Sequence, residues 1–378
     1  KNSIIKIKEI DYSKQKGIDS KIRIEGYYIY NDELKFNDIE FLEDNNKIFL
    51  SNLRLNNNYK IEDIEKIELN YFNSNKKLNY LKVFKNKNNY EIVSDFFDAQ
   101  KLIKNLIVEN SNTNNTYLRK FKNLNSKISL NLKKLYMGDQ SYLNNLEGHL
   151  IIKNNKLHEG SIEALLNKND KFSYNLKTNI SNNEKITNIY IEKPEPFIKN
   201  YKFIKGFKEG SLSFNSINKN GLSKSQLKIY DFKVKEVPIL AKLLTLASLQ
   251  GIADLLTGEG IRFQEFEMNY ESAKNLTTIK EIYAIGPAIS IMIDGYIEKD
   301  KLTSLRGTLV PATTINKTIS KIPFIGKVLV GSKVGEGVFG VSFKIKGSNK
   351  NLKTTVNPIK TLTPRFITRT LEKIKKTN

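Results

Sequence analysis

The chain has 378 residues, no cysteine, only two histidines and a formal net charge of +22. That composition excludes disulfides, thiol catalysis and a His-rich metal site, and His149 and His158 are each expected on an exposed strand edge or turn. A hydrophobic content of 39% with 10% aromatics suits half-buried sheets better than disorder, and the length allows one large all-β unit or two domains.

Short strands fill the first ninety residues. Lys21–Tyr30 sets Ile22, Ile24, Tyr28 and Tyr30 against Arg23, Glu25, Tyr27 and Ile29. Lys47–Leu55, Ile67–Phe72 and Leu78–Phe84 alternate likewise, separated by Asn-rich turns. Ser94–Ile107 then reads as a capped helix, with Phe96, Phe97, Leu102, Ile103 and Leu106 at near-helical spacing. Glu109–Thr116 is rich in Asn, Ser and Thr and is the candidate linker. Alternation resumes at Ile128, Leu130 and Leu132, at Leu146 to Ile152, and at Phe172, Tyr174, Leu176 and Ile180. Two prolines in Lys193–Lys199 break the sheet, and a short helical turn can follow.

Val237–Phe263 departs from this pattern. Pro238 suits the first helical turn. Ile239, Leu240, Leu243, Leu244, Leu246 and Ala247 gather on one side, and Lys242, Thr245 and Ser248 on the other. Gly251 allows a break, Ile252, Leu255 and Leu256 begin a second turn, and Gly258 and Gly260 end it. With Leu240, Leu243, Leu244 and Ala247 as its apolar stripe, this is an amphipathic plug near 238–257, too interrupted to span a membrane. Strands return with Phe266, Met268 and Tyr270, with Ile289, Ile291 and Ile293, and with Phe339, Val341, Phe343 and Ile345. Pro364–Lys376 reads as a basic amphipathic tail.

The expected fold is mainly β, an antiparallel meander with a few short helices, whose one-faced sheet can close as a barrel, stack as a sandwich or curl into a trough, and periodicity does not choose between these. Three segments divide it: 1–108 is β-rich and ends in a short helix, 117–236 continues the sheet, and 237–378 combines helix, β-meander and tail. One continuous domain would also accommodate them. The chain starts at Lys1 without a signal-like apolar stretch, so any membrane anchor is expected upstream.

No motif carries chemistry. GSKVGEG at 331–337 lacks the order of a phosphate-binding loop, and no GxSxG elbow occurs. Carboxylates such as Glu147 with Glu159, or Asp63 with Glu65, flank turns, and Asp294 belongs on a polar strand face. No catalytic, cofactor or metal site is therefore expected, and a binding, transport or scaffold role is favoured over an enzyme. The positive charge comes from 55 lysines and only seven arginines, spread along strands and turns rather than clustered. Nucleic acid, read by bidentate arginine, ranks below anionic lipid head groups as a partner.

The region Asp231–Pro364 resembles the C-terminal part of the AsmA-like family of bacterial envelope proteins. The resemblance is carried by residues in order. Asp231-Phe232 and Val237-Pro238-Ile239-Leu240 lead into Leu243-Leu244, Ser248 and Gly251-Ile252. Gly258-Glu259-Gly260-Ile261, Phe263, Gly286-Pro287 and Gly295 follow. Gly307-Thr308-Leu309-Val310-Pro311, Asn316, Ile322-Pro323-Phe324-Ile325-Gly326, Gly335-Glu336-Gly337-Val338-Phe339 and Val356-Asn357-Pro358 complete it. Thr313-Thr314 and Arg365 depart from the family pattern. The resemblance implies an elongated, curved antiparallel β-sheet, a trough apolar inside and polar outside and closed near its C-terminal end by helices, in a periplasmic protein tethered to the inner membrane of a Gram-negative bacterium, moving phospholipid toward the outer membrane. Acyl chains would then lie against Ile289, Ile291, Ile293, Phe339, Val341 and Phe343. The rival readings are a closed β core acting as an assembly factor on an envelope protein, and a polyanion binder.

Overall fold

A computed structural model describes residues 3–29, 33–103, 118–138, 141–201, 206–235, 237–246, 249, 254, 256, 258–311, 340–348 and 351–359. The chain is mainly β and dominated by antiparallel pairing, as expected from its alternation. It divides into two compact units, Lys1–Tyr201 and Lys202–Asn378. The candidate linker Glu109–Thr116 and the tail Pro364–Lys376 lie outside the described residues.

The first unit opens with a small hairpin, β1 (Ile5–Ile7) and β2 (Tyr12–Lys14), around a 3-10 turn. Its main sheet takes β3 (Lys21–Tyr28), β4 (Glu33–Glu43), β5 (Asn46–Asn56), β6 (Ile61–Asp63), β7 (Lys66–Phe72), β8 (Leu78–Asn86) and β9 (Asn89–Asp98) in antiparallel order. β10 (Ser126–Tyr136), β11 (Tyr142–Lys153), β12 (Lys156–Leu166), β13 (Asp170–Asn179) and β14 (Glu184–Ile191) extend it. Helix α1 (Glu195–Asn200) follows, where the prolines stop the last strand.

The asparagines act at the turns. Lys153 pairs with Lys156, and both Asn154 and Asn155, between them, have positive φ (50° and 58°). That is the backbone of a tight hairpin turn, which Asn tolerates better than most side chains. Asn155 also caps from a distance: its Oδ1 accepts from Leu124 N at 2.6 Å, and its Nδ2 donates to Phe121 O at 3.0 Å.

Four expectations fail in this unit. Ser94–Asp98 is the end of strand β9, and described helical conformation begins only at Gln100. Phe96 and Phe97 are large aromatics that fit a pleated surface, and pairing with β8 and β10 overrides their helix-like spacing. The strands also do not form an unbroken meander. β9 and β10 run parallel, which demands the long crossover through residues 99–125. Ile180 lies beyond the end of β13 and is 70% exposed. Both histidines sit within strands β11 and β12 rather than at an edge or turn.

The second unit is an eight-stranded antiparallel sheet among the described residues. Its strands are β15 (Lys208–Lys219), β16 (Leu222–Val234), β17 (Ile261–Ala273), β18 (Leu276–Ile285), β19 (Ile289–Glu298), β20 (Leu302–Pro311), β21 (Gly340–Ser348) and β22 (Asn351–Ile359). Between β16 and β17 stands α2 (Pro238–Leu246), which lies near β22. Leu240, Leu243 and Leu244 are buried, while Lys242 and Thr245 face outward. Leu246 is 48% exposed, contrary to its expected place on the apolar side. At 3.6 residues per turn it lies roughly 120° round the helix from Leu240, the centre of the buried stripe. Leu256 is fully buried and Gly258 N donates to Asp254 O at 2.9 Å, in keeping with a second apolar turn. Ala247 lies outside the described residues. Beside this helical segment Phe207, Phe232 and Phe263 stack at centroid separations of 5.4 and 5.5 Å.

Candidate functional site

Register converts the one-faced strands of the first unit into rows. Ile24, Ile39, Leu50, Ile67, Val83, Ile92, Leu130, Gly148, Ile162, Tyr174 and Ile189 are successive cross-strand partners from β3 to β14. One apolar row thus crosses the sheet. Its members are only half-buried, and Ile24 is 58% exposed. Along β10 the opposite face carries Lys127, Ser129 and Asn131, all exposed.

Rows nearer one end of the strands are sealed. The β1–β2 hairpin brings Tyr12 onto Phe41, Ile48, Leu69 and Tyr71, with Ile5, Ile7, Ile10 and Leu81 packed around them and Leu50 and Ile67 of the apolar row meeting the edge of this cluster. Tyr12 meets the rings of Phe41 and Tyr71 edge-on, and its hydroxyl donates to the buried carboxylate of Glu43. Burial, with the Glu43 carboxylate beside it, pushes the Tyr12 phenol far up, so it keeps its proton. At the same strand ends Ile198 of α1 is buried, and Asn200 Nδ2 donates to Met137 O at 2.7 Å.

In the second unit the residues expected to touch lipid do share a face. Ile291 pairs with Leu309 and Leu309 with Val341; Ile293 pairs with Gly307 and Gly307 with Phe343. The Phe343 ring lies over Gly307, where a Cβ would stand 2.5 Å from its Cζ. Ile289, Ile291, Val341 and Phe343 are buried, however, and only Ile293 stays half-exposed. At the same end of β18–β20 the other face is closed too, since Tyr283, Ser290 and Val310 have no exposed surface. Phe339 lies outside the described residues.

Charges on the polar faces pair with one another. Arg306 Nε donates to Asp294 Oδ1 at 2.7 Å, on the polar face expected for Asp294. A cleft of about 410 Å³ on the first unit sets the carboxylates of Glu33, Asp63 and Glu65 against the cations of Lys35, Arg54, Lys85 and Lys87. Asp63 bonds Lys85 at 2.5 Å and Arg54 at 3.3 Å. Burial alone would raise the Asp63 pKa, but the hydrogen bonds and charges of Lys85 and Arg54 outweigh it and hold the carboxyl below its ordinary range. No group of His, Asp and Glu able to hold a metal occurs among the described residues, and no described helix is long and apolar enough to cross a membrane.

The polar groups that sequence reasoning missed lie on the apolar side of β12–β14. Lys185 alternates with Thr187, Ile189 and Ile191, opposite the exposed Ile186 and Tyr190. Reading that alternation would have placed it inward. His158 sits at the irregularity between β11 and β12, which no sequence signal marks. Comparison with family models, with curated proteins and with solved structures found no match.

Proposed function

We propose that this chain is a non-enzymatic lipid-binding and lipid-transfer segment, which shields the hydrocarbon chains of phospholipids along the apolar face of its first unit. The observation that carries this reading is the row from Ile24 to Ile189, apolar in every strand it crosses save at Gly148, yet half-exposed along its length. Water in contact with such a surface is unfavourable by about 25 cal/mol per Å², or about 0.8 kcal/mol per methylene covered, so an acyl chain laid on it binds usefully. The likeness of Asp231–Pro364 to AsmA-like envelope proteins supports the same reading, and with it a place in the periplasm, anchored to the inner membrane and serving the outer membrane. Relative to the sequence expectation the contact surface moves. Ile289, Ile291, Val341 and Phe343 become the packed core of the second unit, and Ile39, Leu50, Ile67, Val83, Ile92 and Leu130 become the lining.

Mass spectrometry of gently purified protein tests this. Phospholipid should co-purify, and Ile67→Asp should remove it while the protein stays folded. Repeated absence of lipid from the unsubstituted chain would overturn the reading. A second reading, an assembly factor with a closed β core that contacts an envelope protein, is favoured by one observation: the two-sided burial around Tyr283, Ser290 and Val310. In that case Ile67→Asp should unfold the first unit, because a buried unpaired carboxylate is costly. A polyanion binder would show a steep salt dependence of DNA affinity. The paired charges around Asp63 and Asp294 speak against it.

A further inference from the structure

Polar side chains buried in the first unit mostly have partners. The Lys14 ammonium, fully buried, donates to Ser3 O at 2.9 Å and to Gln15 O at 3.1 Å. Ser94 Oγ donates to Tyr80 O at 2.7 Å, and Asn73 Nδ2 to Asp98 Oδ2 at 3.0 Å. One row on the apolar side does not follow this rule.

Lys185 pairs with Thr178 across β13 and β14, on the same face as Tyr174, Leu176 and Ile189. Its ammonium has no carboxylate or hydrogen-bond acceptor among the described residues, and burial pushes its pKa down with no charged neighbour to offset it. On the far side of Thr178 comes His158. Ile151 pairs with Glu159 but Ile152 with Leu157, so His158 is the extra residue of a bulge. Alternation along β12 gives it the face of Gly160, and the β12–β13 register, continued by one residue beyond Glu159 and Lys177, sets it beside Thr178. His158 Nε2 is buried and has no hydrogen-bond partner. Two strand spacings separate His158 from Lys185, about 10 Å between backbones, which long side chains can close around one small group. One row further along the face lie Gly160, Leu176 and Thr187. Beyond that lie Ile162, Tyr174 and Ile189, where the Tyr174 ring packs against Gly160.

A half-buried ammonium without a counter-charge and a buried imidazole nitrogen without a partner are both less favourable than their partnered forms. Both penalties vanish together if an anion lies between them, because the ammonium then makes a charge-assisted hydrogen bond and the imidazole and the Thr178 hydroxyl add neutral ones. We propose that the row His158, Thr178 and Lys185 receives the phosphate or carboxylate headgroup of an amphiphile whose hydrocarbon chain runs along the neighbouring apolar rows. This rests on the lipid-holding reading above and adds to it a headgroup preference. One cation faces the site, so a singly charged headgroup matches it. A neutral acylglycerol leaves the ammonium unpaired.

Calorimetric titration of the delipidated full chain with dodecyl phosphate, dodecanoate, dodecanol and inorganic phosphate tests the proposal. Both anionic amphiphiles should bind about 10-fold more tightly than dodecanol, the worth of one hydrogen bond to a charged group. Lys185→Met should abolish that preference, Lys185→Arg should keep it, and His158→Phe should reduce it. Lys185→Met should also raise the Tm of the ligand-free chain slightly, since it removes an unpaired half-buried charge; this separates a ligand site from a structural ion pair. A fall in Tm would reveal a structural partner and overturn the proposal. Equal binding of dodecyl phosphate and dodecanol would also overturn it, while leaving the lipid-holding reading intact. Binding of inorganic phosphate as tight as that of dodecyl phosphate would reassign the site to a free anion. If none of the alkyl ligands binds, the lipid-holding reading fails and this inference with it.

Discussion

Ile67 and Val83 stand in the middle of an apolar row in the first unit and stay half-exposed, whereas Ile291 and Leu309 stand in a comparable row of the second unit and are buried. The strands that carry them alternate in the same way. What differs is cover. The first unit covers one end of its rows with a three-residue-strand hairpin and with α1. The second sets the α2 segment near β22 and stacks Phe207 on Phe232 of β16 and Phe232 on Phe263 of β17. The difference teaches that alternation specifies an apolar face but not its fate. An apolar face that the described residues leave half-exposed is open to a ligand under the reading proposed above, and a covered one is a core.

The comparison breaks most visibly at the plug. Replacing both Leu243 and Leu244 by Asp should destabilise the second unit by roughly 5 kcal/mol or more, because two buried leucines become buried carboxylates. A chemical-denaturation curve in which the unit stays fully folded would show that α2 is not its cover. In the first unit the same kind of change should be milder. Ile67→Asp should cost about 1–2 kcal/mol, since the side chain already meets solvent, and its main effect should be on bound lipid. Equal losses at Ile67 and Leu244 would erase the distinction between open and covered faces.

Tyr12→Phe sharpens the account of the sealed end. It leaves the Glu43 carboxylate buried with one donor fewer and should cost about 1–3 kcal/mol in a urea titration. Asn46 Nδ2, at 3.0 Å, would remain as a donor and keeps the loss toward the lower value. The smallest effect concerns pH. Asp63 has a folded pKa below its ordinary 3.8, so its pairing stabilises the first unit fully above that value. The contribution is lost as pH falls through the lower folded pKa. Asp63→Asn should flatten the stability–pH curve in that acid window and leave the slope near neutrality unchanged.

Much of this was legible in the sequence because β alternation is local. Ile128, Leu130 and Leu132 announce an apolar side whichever strand they meet, and Pro238 with Leu240, Leu243 and Leu244 announces a helix that buries one stripe. The failures have equally definite causes. Phe96 and Phe97 fit a helical spacing and a pleated surface alike, so only pairing with β8 and β10 could decide for strand. Lys185 was readable as inward-facing from Thr187, Ile189 and Ile191. His158 was not, since a bulge is defined by two strands together and neither carries its mark.

By itself, the sequence determined that this chain is a β protein with one-faced strands, Asn-rich turns that accept positive φ, and one interrupted helix near Pro238. All of these follow from contacts between near neighbours along the chain. Tertiary structure alone decided the rest: the parallel meeting of β9 and β10, the alignment of Ile24 through Ile189 into one row, and which apolar faces are covered. Those depend on pairing between distant segments, where the partner rather than the residue sets burial. The same dependence left Lys185 without a counter-charge beside Thr178, on the face that carries Leu176 and Ile189.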